Sequence, residues 1–367
     1  MLLSNVGNSY GGATAINSGA TLEIKKLANG GSVSSIGSSS SDASNLVLGG
    51  TLKYSGSGES TDRLFTLSTG TIGIQSSGAG AVKFTNTGAI VNGGTGVRSL
   101  TLSGDNTGDN TIAGAISDNG ANKTSLSKTN AGKWILTGNS TYTGATTVLG
   151  GTLQVDGSIS SSAVTVGDSG NLATAAILAG SGRVGAVTVG AAAGNTGAQV
   201  NPSNDVPESI GTSARLTTTS FTMLGSGSST LVLQIGRTTP GTSNAGDCSD
   251  RIIASSVDLG STANLRLTLQ SGYAPTVGDI FYLITNSSSA INTGFSTVNE
   301  LPITGNQFSF NGDLWDITYS ALASGGSFSG GHDVAIRIGA LPEAQTSAMF
   351  LAGMGLLLFL KRARART

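Results

Sequence analysis

Short runs of alternating β-branched and small residues recur along this chain, separated by Gly, Asn, Asp or Ser. Ala163-Val164-Thr165-Val166-Gly167, Ala186-Val187-Thr188-Val189-Gly190 and Leu231-Val232-Leu233-Gln234-Ile235-Gly236 are three of them. Each predicts a strand of four to six residues closed by a turn. One segment breaks the rhythm: the apolar run Ala348 to Leu360, whose apolar residues run all round and predict a single short C-terminal helix.

The runs also repeat. Val47-Leu48-Gly49-Gly50-Thr51-Leu52 returns unchanged as Val148-Leu149-Gly150-Gly151-Thr152-Leu153, and Asn8–Thr14 is echoed by Ser140–Thr146. The two offsets, 101 and 132 residues, share no obvious unit, so the array is degenerate and carries insertions. A recurring strand–turn unit is the mark of a solenoid. The expected fold is all-β: a parallel β-helix in which each strand pairs with its equivalents one coil above and below, and so satisfies its backbone groups along the stack. At roughly 20–25 residues per coil, the chain makes about 14–17 coils and a rod about 65–80 Å long. A β-sandwich or jelly-roll is the structural competitor, above all after residue 200. Near Asn201-Pro202-Ser203-Asn204-Asp205-Val206-Pro207 two prolines interrupt the pattern, and beyond them strands lengthen and turn more aromatic, as in Asp279–Ile284. The expected organisation is a solenoid over 1–200, a β-rich continuation or cap over 201–340 that shields the last edge, and a tail over 341–367.

Composition narrows the picture. Glycine supplies 56 of the 367 residues, about twice the usual share of roughly 7%. Such a chain does not make a helix-rich enzyme, because Gly costs about 1 kcal/mol per helix-interior position relative to Ala. Collagen is excluded by the absence of an every-third-residue glycine. Charged residues are 11% of the chain, against about 25% in ordinary domains. Four of the 19 basic residues, Lys361, Arg362, Arg364 and Arg366, lie in the last seven positions, which leaves 15 basic against 20 acidic residues in the body. That balance excludes a nucleic-acid footprint. Cys248 and His332 are each the sole residue of their type, so no intrachain disulfide and no Cys-based zinc site forms.

One segment carries a family likeness. Leu126-Ser127-Lys128-Thr129-Asn130-Ala131-Gly132-Lys133-Trp134-Ile135-Leu136-Thr137-Gly138, continuing through Asn139-Ser140-Thr141-Tyr142-Thr143-Gly144-Ala145-Thr146-Thr147-Val148, resembles the autotransporter-associated β-strand repeat. It departs from that pattern by Asn130 where Gly is usual and by one residue of spacing around Asn139. Asn8–Ile24 resembles the tail of another copy, and Arg98–Gly104 and Asn110–Ile116 look like upstream rungs. The resemblance implies a passenger-type β-helix on a bacterial surface, with Gly132, Trp134, Gly138, Tyr142, Gly144 and Gly151 as structural residues of the repeat. Because the repeat is under way at Asn5 and no signal peptide is visible at Met1, a longer reading frame with a signal peptide is expected.

The tail has its own likeness. Pro342-Glu343, the apolar run 348–360 and the basic cluster Lys361, Arg362, Arg364 and Arg366 resemble a PEP-CTERM sorting signal, with Ala344 in place of the second proline. That implies export, transient or stable insertion of 348–360 in the inner membrane, and recognition by an exosortase-type processing enzyme. Leu341-Pro342-Glu343 is also similar to the start of a sortase LPxTG signal, but Ala344-Gln345 replaces the Thr-Gly pair. Thirteen apolar residues fall short of the about 20 that a full span needs, and the basic tip predicts a cytoplasmic C-terminus.

Candidate chemistry is sparse. Asp105, Asp109 and Asp118 with Arg98 form the densest polar stretch, and Asp247 and Asp250 flank Cys248. A glycosidase needs two carboxylates about 5–9.5 Å apart; Asp and Asn at turns more commonly accept local N–H groups. Gly93-Gly94-Thr95-Gly96-Val97-Arg98 starts like a calcium-binding nonapeptide but has Arg98 where Asp should stand. Trp134 and Trp315 are expected to pack inside. The expectation is therefore a non-enzymatic, exported surface or matrix protein with adhesive or mechanical work, no cofactor and no metal, and glycans or matrix components as partners. The alternative is a β-helical polysaccharide lyase or glycoside hydrolase.

Overall fold

Alternation in the strands converts directly into an inside and an outside. Val164, Val166, Val187 and Val189 are buried while Thr165 and Thr188 between them keep contact with solvent, as a period of two requires. The computed structural model describes residues 1–167, 174–190, 196–203, 214–224, 228–236, 250–288, 290–291 and 293–339. Among them the regular elements are strands and two single-turn 3₁₀ segments, Ala43–Asn45 and Ala323–Gly325. No described helix is long and apolar enough to cross a membrane. The helix expected over 348–360, like the whole tail from 340 and Cys248, lies outside the described residues.

The strands stack in parallel on three faces of a solenoid. A coil enters on a short third face (Leu46–Leu48), turns onto face one (Thr51–Tyr54), turns again onto face two (Ser57–Thr61), and returns at Thr66–Leu67. Face one continues through Gly70–Ser76, Arg98–Ser103, Thr124–Lys128, Thr146–Val148, Val164–Val166 and Val187–Val189, each paired in parallel with the next. It runs on into Arg215–Met223, Arg251–Asp258 and Ile280–Asn286. Face two carries Lys133–Leu136, Gly151–Val155, Ala176–Ala179, Thr196–Asn201, Ser228–Ile235 and Asn264–Leu269 in the same way. The parallel ladder thus crosses residue 201 without a break.

Coil length departs from expectation. The pairing Val148 to Val166 gives 18 residues per coil, whereas Phe221 to Val257 gives 36. Face one accordingly has twelve parallel rungs among the described residues rather than 14–17, a stack about 53 Å long at ~4.8 Å per step. The pitch depends only on strand spacing, so longer coils, whose strands grow from three residues at Val164–Val166 to nine at Arg215–Met223, do not lengthen the rod.

The duplicated sequences explain why two offsets coexist. Thr14–Ile16 lies on the third face and Thr21–Ile24 on face one, but their echoes Thr146–Val148 and Gly151–Val155 lie on faces one and two. The hexapeptide starting at Val47 shifts in the same way relative to its copy at Val148. The repeating unit is therefore a strand, a corner and a strand, reused one face further round, and not a whole coil.

Aliphatic residues fill the interior in register. Leu22, Leu52, Ile74 and Leu102 form one column and Ile72, Leu100 and Leu126 another, all buried. The stack ends in antiparallel pairing: Ile280–Asn286 with Asp333–Ile338, and that strand with Asp313–Ala321. Trp315, fully buried, packs there against Phe281, Phe308 and Phe310.

Candidate functional site

The repeat residues face inward or press on the coil beneath. Trp134 is fully buried and donates its Nε1–H to Ser103 O at 3.0 Å. Tyr142 is also sealed; burial pushes its phenol up to about 12. Its hydroxyl lies 2.7 Å from Thr146 Oγ1, which lies 2.8 Å from Ser162 Oγ. Ser162 donates onward to Gly144 O at 2.7 Å, so the relay runs from Tyr142 to Thr146 to Ser162 to the backbone. Tyr10 and Thr14, 132 residues earlier, make the equivalent contact at 2.9 Å.

The motif glycines sit where coils touch. A Cβ on Gly132 would stand 2.5 Å from Gly104 O, and one on Gly138 2.7 Å from both Ala113 O and Gly114 O. A Cβ on Gly144 would strike the Thr124 carbonyl, and Gly151, at φ +63°, closes against Gly132 O.

Three cations, Lys128, Arg98 and Arg63, are buried, and of these the residue pattern marks only Arg98 as a candidate for chemistry. Lys128 stands in the aliphatic column between Leu102 and Val148, fully buried. Its Nζ donates to Thr129 O, Asn130 O and Gly150 O at 2.7–2.9 Å, and burial pulls it down to about 7. Arg98 spends its guanidinium on Leu67 O, Gly93 O, Gly94 O and Gly96 O. Arg63 does likewise with Ala28 O, Gly37 O, Ser40 O and Ser39 Oγ. The loop that starts like a calcium nonapeptide therefore turns its carbonyls onto an internal guanidinium. The alternation Leu126-x-Lys128 did hold a signal, since both residues share one parity; Arg63, in a corner, had none.

The acidic residues are dispersed. Asp109 pairs with Lys133 at 2.7 Å, and that hydrogen bond holds its carboxyl below the usual range. Asp118 accepts from Thr124 N, Thr143 N and Thr143 Oγ1; burial works against its charge, but these bonds leave it lowered overall. Asp250 accepts from the backbone of Ala214 and Gln234, and Asp333 from Asn286 and Ala323. Asp247 lies outside the described residues. Among the described residues no three His, Cys, Asp or Glu side chains group to hold a metal.

Outward, face one presents a row of hydroxyls. Thr101, Ser127, Thr147, Thr165, Thr188 and Thr222 occupy the same register on six successive rungs, about 4.8 Å apart. Each is half-exposed. Residues 2–24 and 126–155 match the Passenger-associated-transport-repeat family. The two matched stretches are those that sit one face apart in the solenoid. An adhesin BmaC autotransporter of Brucella suis biovar 1 (strain 1330) is 53% identical over 137 residues. The match covers 36% of this chain, which spans 4% of the length of that relative.

Proposed function

We propose that this chain is part of an exported, surface-displayed β-solenoid whose work is adhesive or mechanical and not catalytic. The observation that carries the reading is the outward row from Thr101 to Thr222: a flat, uncharged, evenly spaced hydroxyl surface on a rigid stack. Such a face offers donors and acceptors in equal measure to a neighbouring surface and concentrates no charge or nucleophile for chemistry. The likeness to an adhesin autotransporter supports the same reading. The carboxylates described above point the same way, because Asp118, Asp250 and Asp333 spend their oxygens on backbone N–H groups.

In this proposal the tail sorts the protein. Pro342-Glu343 is read by an exosortase-type enzyme, 348–360 enters the inner membrane, and Lys361, Arg362, Arg364 and Arg366 stay on the cytoplasmic side. The deciding experiment displays the chain on a non-adherent bacterium and counts cells retained on matrix- and glycan-coated surfaces. Retention above the empty-display strain is expected. Release of reducing sugar or unsaturated uronate from a polysaccharide panel would replace this reading with the lyase or hydrolase. Intact mass of the native surface protein tests the tail: loss of Lys361–Thr367 is expected, and its retention refutes processing.

A further inference from the structure

Face two ends in a feature that the stack itself does not require. Thr297–Val298 adds a last parallel strand beside Asn264–Leu269, then folds straight back as Leu301–Pro302. The turn residues Asn299 and Glu300 both take positive φ, 48° and 68°, the conformation that a two-residue hairpin of type I′ demands. Asn299 anchors the tip: its Oδ1 accepts from Leu267 N at 2.8 Å and its Nδ2 donates to Leu267 O. The hairpin raises a wall beside the outward surface of face two and leaves a groove of about 690 Å³.

The floor of that groove is a second in-register row, Gln199, Thr230, Asn264 and Thr297 on four successive rungs. Arg266 projects from the same strand and face as Asn264 and is exposed; Glu300 stands at the wall. Among the described residues no hydrogen bond or ion pair engages the side chains of Gln199, Thr230, Arg266 or Glu300. Asn264 accepts at its Oδ1 from Ser296 Oγ and Thr297 Oγ1, and no hydrogen bond among the described residues uses its amide protons. In a chain with 11% charged residues, an uncommitted guanidinium beside the uncommitted side chains of Gln199 and Thr230 calls for a ligand.

From this groove we infer that face two binds an acidic oligosaccharide lying across the coils, with a sugar carboxylate on Arg266 and sugar hydroxyls on the Gln199–Thr297 row. The inference rests on the adhesive reading and names its ligand class. A guanidinium fork matches a carboxylate in two parallel bonds, and amides and hydroxyls exchange bonds with a polyhydroxyl chain. Leu265 and Leu267 point inward and are buried, so the groove has no apolar anchor of the kind that dominates peptide interfaces. Along the row from Gln199 to Thr297 the floor is a sheet face whose strands are already paired, so strand addition by an extended peptide has no unpaired backbone to use there. Glu300 limits the negative charge that the wall tolerates, which favours spaced carboxylates over a dense polyanion.

The test is calorimetric titration of the whole chain with tetragalacturonate and with its carboxyl-reduced, neutral counterpart. The acidic ligand is expected to bind at least tenfold more tightly. Arg266→Gln should abolish that preference, and Glu300→Gln should strengthen binding of the acid; both sites are exposed, so folding is retained and is checked by circular dichroism. Equal affinity for the two ligands, no binding of either, or an unchanged preference in Arg266→Gln overturns the inference, as does displacement of the sugar by neutral peptides. Cell retention by Arg266→Gln separates the two readings: retained adhesion without the calorimetric preference sinks the groove and leaves the adhesive reading standing.

Discussion

Lys128 puts an amine where the column asks for a methylene. Leu102 and Val148 flank it in register, and three carbonyls accept its hydrogen bonds; Asp105 favours the charge, but less than burial opposes it, and among the described residues no ion pair holds it. With a folded value of about 7 against an ordinary 10.5, the sign follows from linkage. Below about 7 both folded and unfolded chains are protonated and the folded state bears the whole burial cost. Between 7 and 10.5 the unfolded chain keeps a proton that the folded chain has released, so stability rises with pH, by at most about 1.4 kcal/mol per pH unit. Lys128→Met should lack this rise. Urea midpoints of the two proteins at pH 6 and pH 9.5 check it, and parallel profiles would refute it. A second residue-scale outcome uses the echo between repeat copies. Gly144 and Gly12 are equivalent in sequence, but a Cβ on Gly144 would strike the Thr124 backbone and one on Gly12 would meet nothing within 4 Å. Gly144→Ala should cost about 2 kcal/mol or more, and Gly12→Ala should stay within about 0.5 kcal/mol; thermal melts of the pair decide.

At the scale of elements, corners rather than strands carry the individuality of this solenoid. Strands were legible because inward Val, Leu and Ile alternate with outward Thr and Ser at a period of two, and the turns because Gly, Asn and Asp punctuate them. The repeat around Trp134 was legible through its spacing. Coil length was not, since the alternation of inward and outward residues is the same in a short strand and a long one, and 18- and 36-residue coils share one pitch. The groove on face two was hidden for a similar reason: it needs a hairpin to fold back over strands whose partners lie 32 to 33 residues away. Nor did composition reveal that corners are held by buried cations. Arg98 gathers the carbonyls of Gly93, Gly94 and Gly96, the positions where a calcium-binding coil would place its ion. Arg98→Met should therefore release this corner. Limited proteolysis is expected to cut between 93 and 97 in the variant and not in the parent, and added calcium should not restore protection. Protection by calcium would instead mean that the corner is an ion site that the arginine merely fills.

For the whole molecule the governing problem is the open edge. Parallel stacking satisfies every interior strand, but the last rung leaves a row of unpaired backbone groups that another chain can extend. Here the edge strand Ile280–Asn286 carries buried Phe281, Leu283 and Ile284, a sequence well suited to unwanted pairing. The chain closes it by reversing direction: Asp333–Ile338 pairs antiparallel with the edge, Asp313–Ala321 pairs with that, and the Trp315 aromatic cluster fixes the two strands over the end of the core. Asp333 clamps the join by accepting from Asn286 N and Ala323 N, both at 2.8 Å. The cap is thus a solubility device as much as a source of stability, and the two roles separate experimentally. Val334→Pro removes a backbone donor and bends the capping strand while leaving the stacked coils through Arg251–Asp258 untouched. The variant should keep a β-type far-ultraviolet dichroism spectrum but associate in proportion to concentration, as read by light scattering after gel filtration. A variant that stays monomeric with its spectrum intact would show that the edge is protected by something other than this pairing. One that loses the spectrum altogether would show that the cap and the coils fold as a single unit, so that the end of the rod sets the stability of its middle.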